Sequence, residues 1–338
     1  MTAPERLVTR LSRWSRRREW FDSKVAWLGT ACYYLALVNG WPPVKAAVVA
    51  LQVVPFTIAL AAFGYALNDY SDREVDLTAG KRTADSAPPA AMHFRLVGVL
   101  LVVTLLALAP MAFQGISLLA GLTLTVLAVA YSMPPVRLKT RGIWGVLAAA
   151  LAQWGTPILP LLSSGAAVTA GGAILLTLGV SAGLRWMLIH QIQDAPADAR
   201  TGVRTFTVAH GVDRASTVAR VLVSVEAVLL LVWMGIDSGR MPVLGVLSGV
   251  YIAAFALIWF QLARVGLAGT SGGAYERAPL RGLYLAWLPL GFLAALTWTR
   301  PAYGWLIPIE LWFRRYQIAG DVRMACHAAG IPPPWSRR

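Results

Sequence analysis

The sequence predicts an all-α, polytopic membrane protein, and two observations lead to that prediction. Hydrophobic residues make up 57% of the 338-residue chain and charged residues only 14%, whereas about a quarter of the residues in soluble globular proteins are charged. The apolar residues also lie in continuous runs, several of them about 20 residues long, which is the length that a helix needs to cross a bilayer core. Membrane strands would instead alternate apolar and polar residues.

Nine apolar segments follow one another with short polar gaps, which predicts a bundle of nine transmembrane helices. They cover residues 20–39, 44–67, 96–113, 115–131, 142–163, 168–190, 216–236, 241–263 and 279–298. Only Gln114-Gly115 separates the third segment from the fourth, which predicts a tight helical hairpin. We expect three parts: a basic N-terminal segment at residues 1–19, one membrane domain at 20–298, and an interfacial segment with a basic tail at 299–338.

The distribution of Lys and Arg predicts the orientation in the membrane. The net charge is +14, and the excess lies in the N-terminus and in the loops after the even-numbered segments. By the positive-inside rule these parts face the cytoplasm, and a bacterial cytoplasmic membrane is the expected location. Nine spans place the tail outside, although the tail is itself basic, so we expect residues 304–313 to lie along the interface. Nucleic acid is excluded as a partner because no nucleic-acid motif accompanies the basic loops.

Two acidic loops, after the second and the sixth segments, carry the same pattern. The first reads DREVDLTAGKRT over residues 72–83, and the second reads DAPADARTGVRT over residues 194–205. Both fit D-x3-D-x3-G-x-R-T, and both face the same side of the membrane. Solvated surface acids that balance basic neighbours have no reason to repeat five spaced positions. A parallel internal repeat is the simplest explanation.

The first copy places several oxygen ligands together. Residues four apart share a helix face, so Asn68, Asp72 and Asp76 form one row, and Asp69 lies beside it. Like charges at this spacing destabilise a helix unless a cation neutralises them. Mg²⁺ takes oxygen ligands, uses one or two carboxylates, and bridges to substrate phosphates. The row therefore predicts a magnesium site.

The second copy supplies a matching pair, Asp194 and Asp198. Two carboxylate pairs that face each other across a cavity would hold two Mg²⁺ ions around a diphosphate. Lys81, Arg82 and Arg204 follow the acids closely and would donate directly to phosphate oxygens. Pro196 lies between the two acids of the second copy and removes a helix hydrogen bond, which predicts a kink.

A third polar stretch, YSMPPVRLKTRG at residues 131–142, follows the fourth segment on the same side. One interpretation is an ordinary positive-inside loop. The other makes Arg137 and Lys139 a phosphate clamp, with Tyr131 at the mouth of a cavity.

These motifs together resemble a known family. The pattern N-D-x-x-D-x-x-x-D at residues 68–76, the second D-x-x-x-D at 194–198, and Y-S-x-P-P-x-R-L-K at 131–139 are similar to those of the UbiA superfamily of intramembrane prenyltransferases. The resemblance implies a helical bundle around a central cavity that opens sideways to lipid. It also implies that two Mg²⁺ ions bind the diphosphate of an isoprenoid donor. The diphosphate leaves, and the allylic cation alkylates a lipophilic acceptor, often an aromatic ring.

The resemblance also implies roles for individual residues. Tyr131 would stabilise the cation with its ring face. The residues implied as metal ligands are Asn68, Asp69, Asp72, Asp76, Asp194 and Asp198. The residues implied at the diphosphate are Asn68, Lys81, Arg82, Arg137, Lys139 and Arg204.

Other residues are candidates for the acceptor end. His190, one turn before Asp194, would take the proton that the acceptor loses, or is instead a histidine hydrogen-bonded at a helix end. Arg185 lies deeper, where a charge is costly. It would meet an acceptor's carboxylate or phosphate, or it forms a structural pair with Glu226. Two further candidates for acceptor binding are Gln153 and Gln193.

Two other functions compete with a Mg²⁺-dependent prenyltransferase. A terpene cyclase on the same scaffold would quench the cation within its own chain and would need no acceptor. An ion-coupled transporter would use the acid pairs as ion sites. The acids cluster at one surface, however, whereas transporter sites lie near the middle of the membrane.

Overall fold

A computed structural model of the chain describes residues 17–78, 89–237, 280–328 and 331, together with isolated positions between 239 and 256. Within these residues every regular element is helical, and one isolated parallel bridge joins Gly142 to Thr205. The prediction of an all-α chain is confirmed for this part of the protein.

Twelve α-helices lie in the described residues. In chain order they are α1 (Arg17–Val38), α2 (Pro43–Ser71), α3 (Arg73–Thr78), α4 (Ala90–Leu106), α5 (Gly115–Ser132), α6 (Ile143–Trp154), α7 (Ile158–Ser164), α8 (Ala170–Thr201), α9 (Phe206–His210), α10 (Val212–Asp237), α11 (Leu288–Thr299) and α12 (Leu306–Ala328). Short 3-10 turns lie at Ala109–Met111, Leu138–Thr140 and Pro301–Tyr303, and a π-helical turn at Leu283–Trp287 leads into α11.

Five of these helices are long and apolar enough to cross a membrane. They are α2, α4 with its following turn, α5, α8 and α10, and shorter apolar helices lie at Lys24–Val38, Ile143–Ala152 and Leu283–Thr299. The chain is therefore a polytopic membrane protein. The predicted eighth segment, 241–263, lies largely outside the described residues, so the count of nine helices stays a prediction.

Prolines divide the chain more finely than the apolar runs predict. The fifth segment is two helices, because Pro157 lacks an N–H and disfavours a helical Thr156, so α6 closes at Gly155 before α7 begins. Helix α4 ends at Leu106, and a 3-10 turn that contains Pro110 follows it in the connection to α5. The hairpin there is longer than the predicted two-residue turn.

Helix α1 lies between two hydrophobic clusters. Its residues Leu28 and Cys32 pack into a cluster with α2, α4 and α5 that includes Phe56. Its residues Trp27 and Tyr34 pack into a second cluster with α8, α10 and α11. Helix α1 therefore packs against both clusters and connects the two groups of helices.

A polar network anchors the N-terminal end of α8. The buried Asp237 carboxylate accepts hydrogen bonds from the Tyr34 hydroxyl (3.1 Å) and from Trp233 Nε1 (2.8 Å). A Cβ atom at Gly171 would lie 2.2 Å from Asp237 Oδ2 and 2.3 Å from the Tyr34 hydroxyl. Only glycine fits there, so α1, α8 and α10 meet closely at the end opposite the acidic motifs.

Candidate active site

The first acidic motif lies at a joint between two helices. Helix α2 ends at Ser71, Asp72 is its C-cap, and α3 begins at the next residue. The backbone N–H of Asp72 nevertheless bonds the Asn68 carbonyl (3.0 Å), and that of Asp76 bonds the Asp72 carbonyl (2.8 Å). Helical hydrogen bonding thus continues through the joint and keeps Asn68, Asp72 and Asp76 in register. Asp69, beside this row, is only 2% exposed.

The basic turn after α5, residues 137–142, lies against this motif. Lys139 Nζ is 3.0 Å from Asn68 Oδ1, 2.7 Å from Ser71 Oγ and 2.7 Å from Asp72 Oδ1. Arg137 Nη2 lies 3.0 Å from the same oxygen of Asp72. Two cationic side chains therefore share one carboxylate oxygen, which holds both of them at the motif. Ser71 was not predicted as a site residue, although its place three positions after Asn68 puts it near the same row.

The backbone of the basic turn is built to bring Lys139 inward. Arg137 adopts a left-handed conformation (φ 38°, ψ 58°), which costs a non-glycine residue about 1–2 kcal/mol. The following 3-10 turn packs closely against α6 at Gly145. A Cβ atom at this glycine would lie only 2.7 Å from the Leu138 carbonyl oxygen. Lys139 is consequently buried, and this burial lowers the pKa of its ammonium group, although the Asp72 carboxylate acts to raise it.

The second acidic motif lies on α8, which continues unbroken through Pro196 to Thr201. The kink expected at Pro196 does not interrupt the helix, because the proline ring removes a single N–H and the turns on either side are complete. Asp194 and Asp198 therefore lie one turn apart on one face. Asp194 is exposed and Asp198 half-buried.

The glycine and threonine of the second copy have structural roles. Gly202 is in the left-handed region (φ 72°) and ends α8, a conformation that glycine adopts without strain. Thr205 caps α9 by accepting a hydrogen bond from the Val208 N–H (3.3 Å). Part of the repeated pattern therefore shapes the turn after the acids. The corresponding residues of the first copy, Gly80 and Thr83, lie outside the described residues.

Tyr131, at the end of α5, is half-buried near acids of both motifs. The carboxylates of Asp72, Asp194 and Asp198 all act electrostatically on its hydroxyl. This hydroxyl also lies 3.9 Å from Met187 Sδ, and Met187 shares a face of α8 with Asp194, two turns away. Acids from both copies are therefore within electrostatic range of one aromatic ring.

The backbone after Tyr131 connects the same two regions. The bridge between Gly142 and Thr205 joins the basic turn to the end of the second motif. Lys139 binds the first motif through Asp72, and it also interacts electrostatically with Asp76. The basic turn thus contacts the first acidic motif through its cations and the end of the second through its backbone.

The sequence matches a known protein family. The model of the UbiA prenyltransferase family matches residues 25–269. The chain belongs to this family. A search of curated protein sequences finds no match.

Several solved structures share the UbiA fold with this chain. A UbiA homolog from Archaeoglobus fulgidus bound to GPP and Mg²⁺ superposes with a TM-score of 0.59 at 19% identity, covering 85% of this chain and 99% of its own. An apo UbiA homolog from Aeropyrum pernix K1 gives 0.57 at 15% identity, covering 81% and 97%. Digeranylgeranylglyceryl phosphate synthase gives 0.57 at 14% identity, covering 85% and 98%. At these identities the likeness establishes the fold.

The donor atoms of this UbiA chain fit magnesium. All the predicted ligands are carboxylate or amide oxygens, which are hard donors. Among the described residues, no three His, Cys, Asp or Glu side chains converge to form a metal cage. Mg²⁺ does not require such a cage, because it uses one or two carboxylates and completes its shell with water and substrate phosphates. Zinc sites need three or four protein ligands, usually with nitrogen or sulfur.

Arg185 forms the structural pair that was one of its two predicted roles. Its Nε and Nη2 atoms each lie 2.8 Å from an oxygen of Glu226, and the Tyr284 hydroxyl donates to Glu226 Oε2 at 3.0 Å. The side chains of Arg185 and Glu226 are both fully buried. Nine residues separate Arg185 from Asp194, which places them on opposite faces of α8. A contact between Arg185 and the acceptor stays a prediction.

The remaining predicted residues have different surroundings. His190 is exposed one turn before Asp194, Gln193 is half-buried on α8, and Arg204 is exposed just beyond its end. Gln153 lies near the end of α6, and its side chain is outside the described part. Lys81 and Arg82 lie outside the described residues.

One residue that was not predicted holds the second motif in place. The buried Gln191 side chain accepts a hydrogen bond from the Thr207 N–H (3.3 Å) and so fixes α9 against α8. Its position in the sequence beside the motif carries no signal for this role, because the contact depends on how α9 folds back.

Proposed function

We propose that this chain is a Mg²⁺-dependent intramembrane prenyltransferase that moves an isoprenoid chain from its diphosphate to a lipophilic, aromatic acceptor. The observation that carries the proposal is the pair of cations in the basic turn, Arg137 and Lys139, which the Asp72 carboxylate of the first acidic motif holds in place. The A. fulgidus homolog, bound to GPP and Mg²⁺, supports the same substrate class. The proposed architecture is nine helices around a central cavity that opens to lipid, with the site on the cytoplasmic side.

Each motif has a part in binding the donor. The residues that would hold the metal ions are Asn68, Asp69, Asp72 and Asp76 on one side and Asp194 and Asp198 on the other. When bound, these ions neutralise the negative charge that develops on the leaving diphosphate. Arg137 and Lys139 donate to the diphosphate oxygens, and the contacts to Asp72 hold them in position for this. The other proposed diphosphate ligands are Lys81, Arg82 and Arg204.

The reaction breaks one bond and forms one. The allylic C–O bond of the donor ionises, and its electron pair leaves with the diphosphate. The resulting cation lies against the face of Tyr131, whose ring electrons stabilise it. A nucleophilic carbon of the acceptor forms the new C–C bond and loses a proton to His190. The apolar bundle excludes water, which would otherwise capture the cation.

The test is an incubation of purified protein with Mg²⁺ and labelled geranyl, farnesyl and geranylgeranyl diphosphates, with and without a membrane lipid extract. Release of diphosphate that requires the extract, together with a labelled lipid product, supports transfer. Release without extract, with a cyclic hydrocarbon as product, supports a cyclase instead. If folded protein releases diphosphate from none of the three donors, the proposal is wrong.

The role of His190 is tested separately in the same assay. His190→Ala should still ionise the donor but should lose transfer, because the acceptor keeps its proton. His190→Gln serves as the matched variant that retains hydrogen bonding without basicity, and we expect the same loss. Unchanged transfer in both variants would remove His190 from the mechanism.

A further inference from the structure

Helix α12 turns two of its charged side chains, Glu310 and Arg314, towards the protein and several aromatic side chains outwards. Glu310 and Arg314 are 6% and 1% exposed, and Arg314 Nε lies 2.9 Å from Glu310 Oε2. The Tyr33 hydroxyl of α1 donates to the other oxygen of Glu310 at 2.9 Å. The buried face of this helix thus carries an ion pair, and Glu310 and Arg314 pair with each other inside the bundle.

The opposite face carries an apolar stripe. Trp305, Ile309, Trp312 and Tyr316 are 62%, 43%, 59% and 66% exposed, and their spacing of four, three and four places them in one line along a helix. A helix that faces water shows the reverse arrangement. Bilayer acyl chains are the surroundings that suit an exposed aromatic stripe on a membrane protein.

The helix also runs the length of α11 in the opposite direction. Just before α12 begins, the Tyr303 hydroxyl donates to the Trp41 carbonyl (3.0 Å), which lies between α1 and α2 at the end of α2 opposite its acidic motif. At the other end Trp287 Nε1 donates to Asp321 Oδ2 (2.9 Å), beside the start of α11. The 23 residues of α12 span about 34 Å at 1.5 Å per residue, enough to cross the roughly 30 Å of a hydrocarbon core.

We propose that α12 is an additional membrane-crossing helix, which returns the C-terminus to the side of the two acidic motifs. It covers the seam between α1 and α11, and its aromatic stripe faces lipid acyl chains. This differs from the interfacial segment that hydropathy predicts. Hydropathy misses such a helix because its charges are counted as if they faced lipid, whereas Glu310 and Arg314 face the protein.

Arg315, on the outward side of α12, is covered by two aromatic rings. The Arg315 guanidinium lies 3.9 Å from the Trp312 ring centroid and 4.3 Å from that of Tyr316, and it donates to the Trp312 carbonyl. A long side chain in this setting reaches towards the nearer interface, with its charge over aromatic faces.

Cys326, near the end of α12, is a native reporter of topology. In a Cys32→Ala background we would treat sealed vesicles of known orientation with a membrane-impermeant maleimide. The matched control is Val168→Cys in a background without Cys32 and Cys326, since Val168 is exposed before α8 at the end opposite the motifs. The proposal expects Cys326 and the cysteine at position 168 to react from opposite faces of the membrane. Reaction of both from the same face overturns it. If Cys326 reacts from neither face, Arg323→Cys serves as the reporter, and lack of reaction there also contradicts the proposal.

A depth measurement separates a crossing helix from an interfacial one. A fluorophore would be attached in turn at positions 305, 312 and 316 and quenched with phospholipids brominated at different positions of the acyl chain. A crossing helix gives a different depth at each position, with position 312 deeper than position 305. Equal depth at all three positions means that α12 lies along the interface, and the proposal is then wrong. Only variants that keep the wild-type unfolding temperature are compared.

Discussion

Asp72 and Lys139 are far apart in the chain, yet their side chains are in direct contact. The ammonium of Lys139 is buried against Asp72 and Asn68, so it is held in one place before any phosphate reaches it. A lysine on a mobile loop would lose side-chain entropy on binding its anion. The acidic motif therefore has two roles in the proposed function: it supplies metal ligands, and it holds the phosphate donors ready.

Removal of one carboxylate from either motif should stop turnover. We expect Asp72→Asn and Asp194→Asn each to lower the rate of diphosphate release by roughly 10²–10³-fold, because charge on the leaving group is then poorly neutralised. Glu74→Gln is the matched control, since Glu74 is exposed two positions from Asp72 and is not assigned to the site. A rate near wild type in either aspartate variant, with the protein folded, would contradict the two-metal proposal.

Tyr131 should act through its ring and not through its hydroxyl. A cation held against an aromatic face is stabilised by about 1–2 kcal/mol, so Tyr131→Leu should slow ionisation by roughly 5- to 30-fold. Tyr131→Phe keeps the ring and loses only the weak contact to Met187. Single-turnover release of labelled diphosphate measures both. Equal losses in the two variants would point to the hydroxyl.

At the scale of elements, α8 connects distant parts of the bundle. Its N-terminal end is fixed by the Asp237 network, its middle by the pair between Arg185 and Glu226, and its C-terminal turns carry Asp194 and Asp198. Because α8 is anchored at two places, the position of its last turns relative to the rest of the bundle is fixed. The helix continues through Pro196, where the proline ring removes only one backbone hydrogen bond.

A double variant separates the structural role of Arg185 from a role at the acceptor. Arg185→Met alone leaves a buried carboxylate without its guanidinium and should destabilise the protein by about 3–5 kcal/mol. Arg185→Met with Glu226→Gln removes both charges while Gln still accepts from Tyr284, and we expect most of the stability to return. Unfolding in detergent measures this.

Transfer activity of that double variant then decides the role. Stable protein with normal transfer means that Arg185 is structural. Stable protein that ionises the donor but transfers nothing means that Arg185 contacts the acceptor.

At the scale of the whole molecule, the proposed site is assembled from three separate parts of the chain. The end of α2, the basic turn between α5 and α6, and the end of α8 each supply one group of ligands. A ligand that binds all three stabilises the folded bundle and not merely one loop, since ligand binding to the native state raises its stability.

Thermal unfolding should report this assembly. A non-reactive diphosphate analogue with Mg²⁺ at about 100 times its Kd should stabilise the protein by roughly 2.7 kcal/mol. We expect Asp72→Asn and Asp198→Asn each to abolish most of the shift, although they lie on different helices, whereas Asp213→Asn, an exposed acid at the start of α10, should leave it unchanged. A full shift in either site variant would mean that the two motifs bind independently.

Local patterns in the sequence determined the helical class and the membrane location, and they predict the chemistry of the proposed site. Apolar runs, the four-residue spacing of acids and the repeated D-x3-D-x3-G-x-R-T pattern all act over a few turns of one helix, where periodicity alone decides which side chains meet. The same patterns led to the row of Asn68, Asp72 and Asp76, which the structure keeps in register through the joint at Asp72.

Tertiary structure decided which distant groups meet. The contact of Lys139 and Arg137 with Asp72, the choice of Glu226 as the partner of Arg185, and the inward polar face of α12 depend on how separate helices pack. A charged residue in an apolar run indicates that a partner must exist, because an unpaired charge there is costly. Which residue serves as that partner depends on the arrangement of the bundle, and periodicity along one segment contains no information about it.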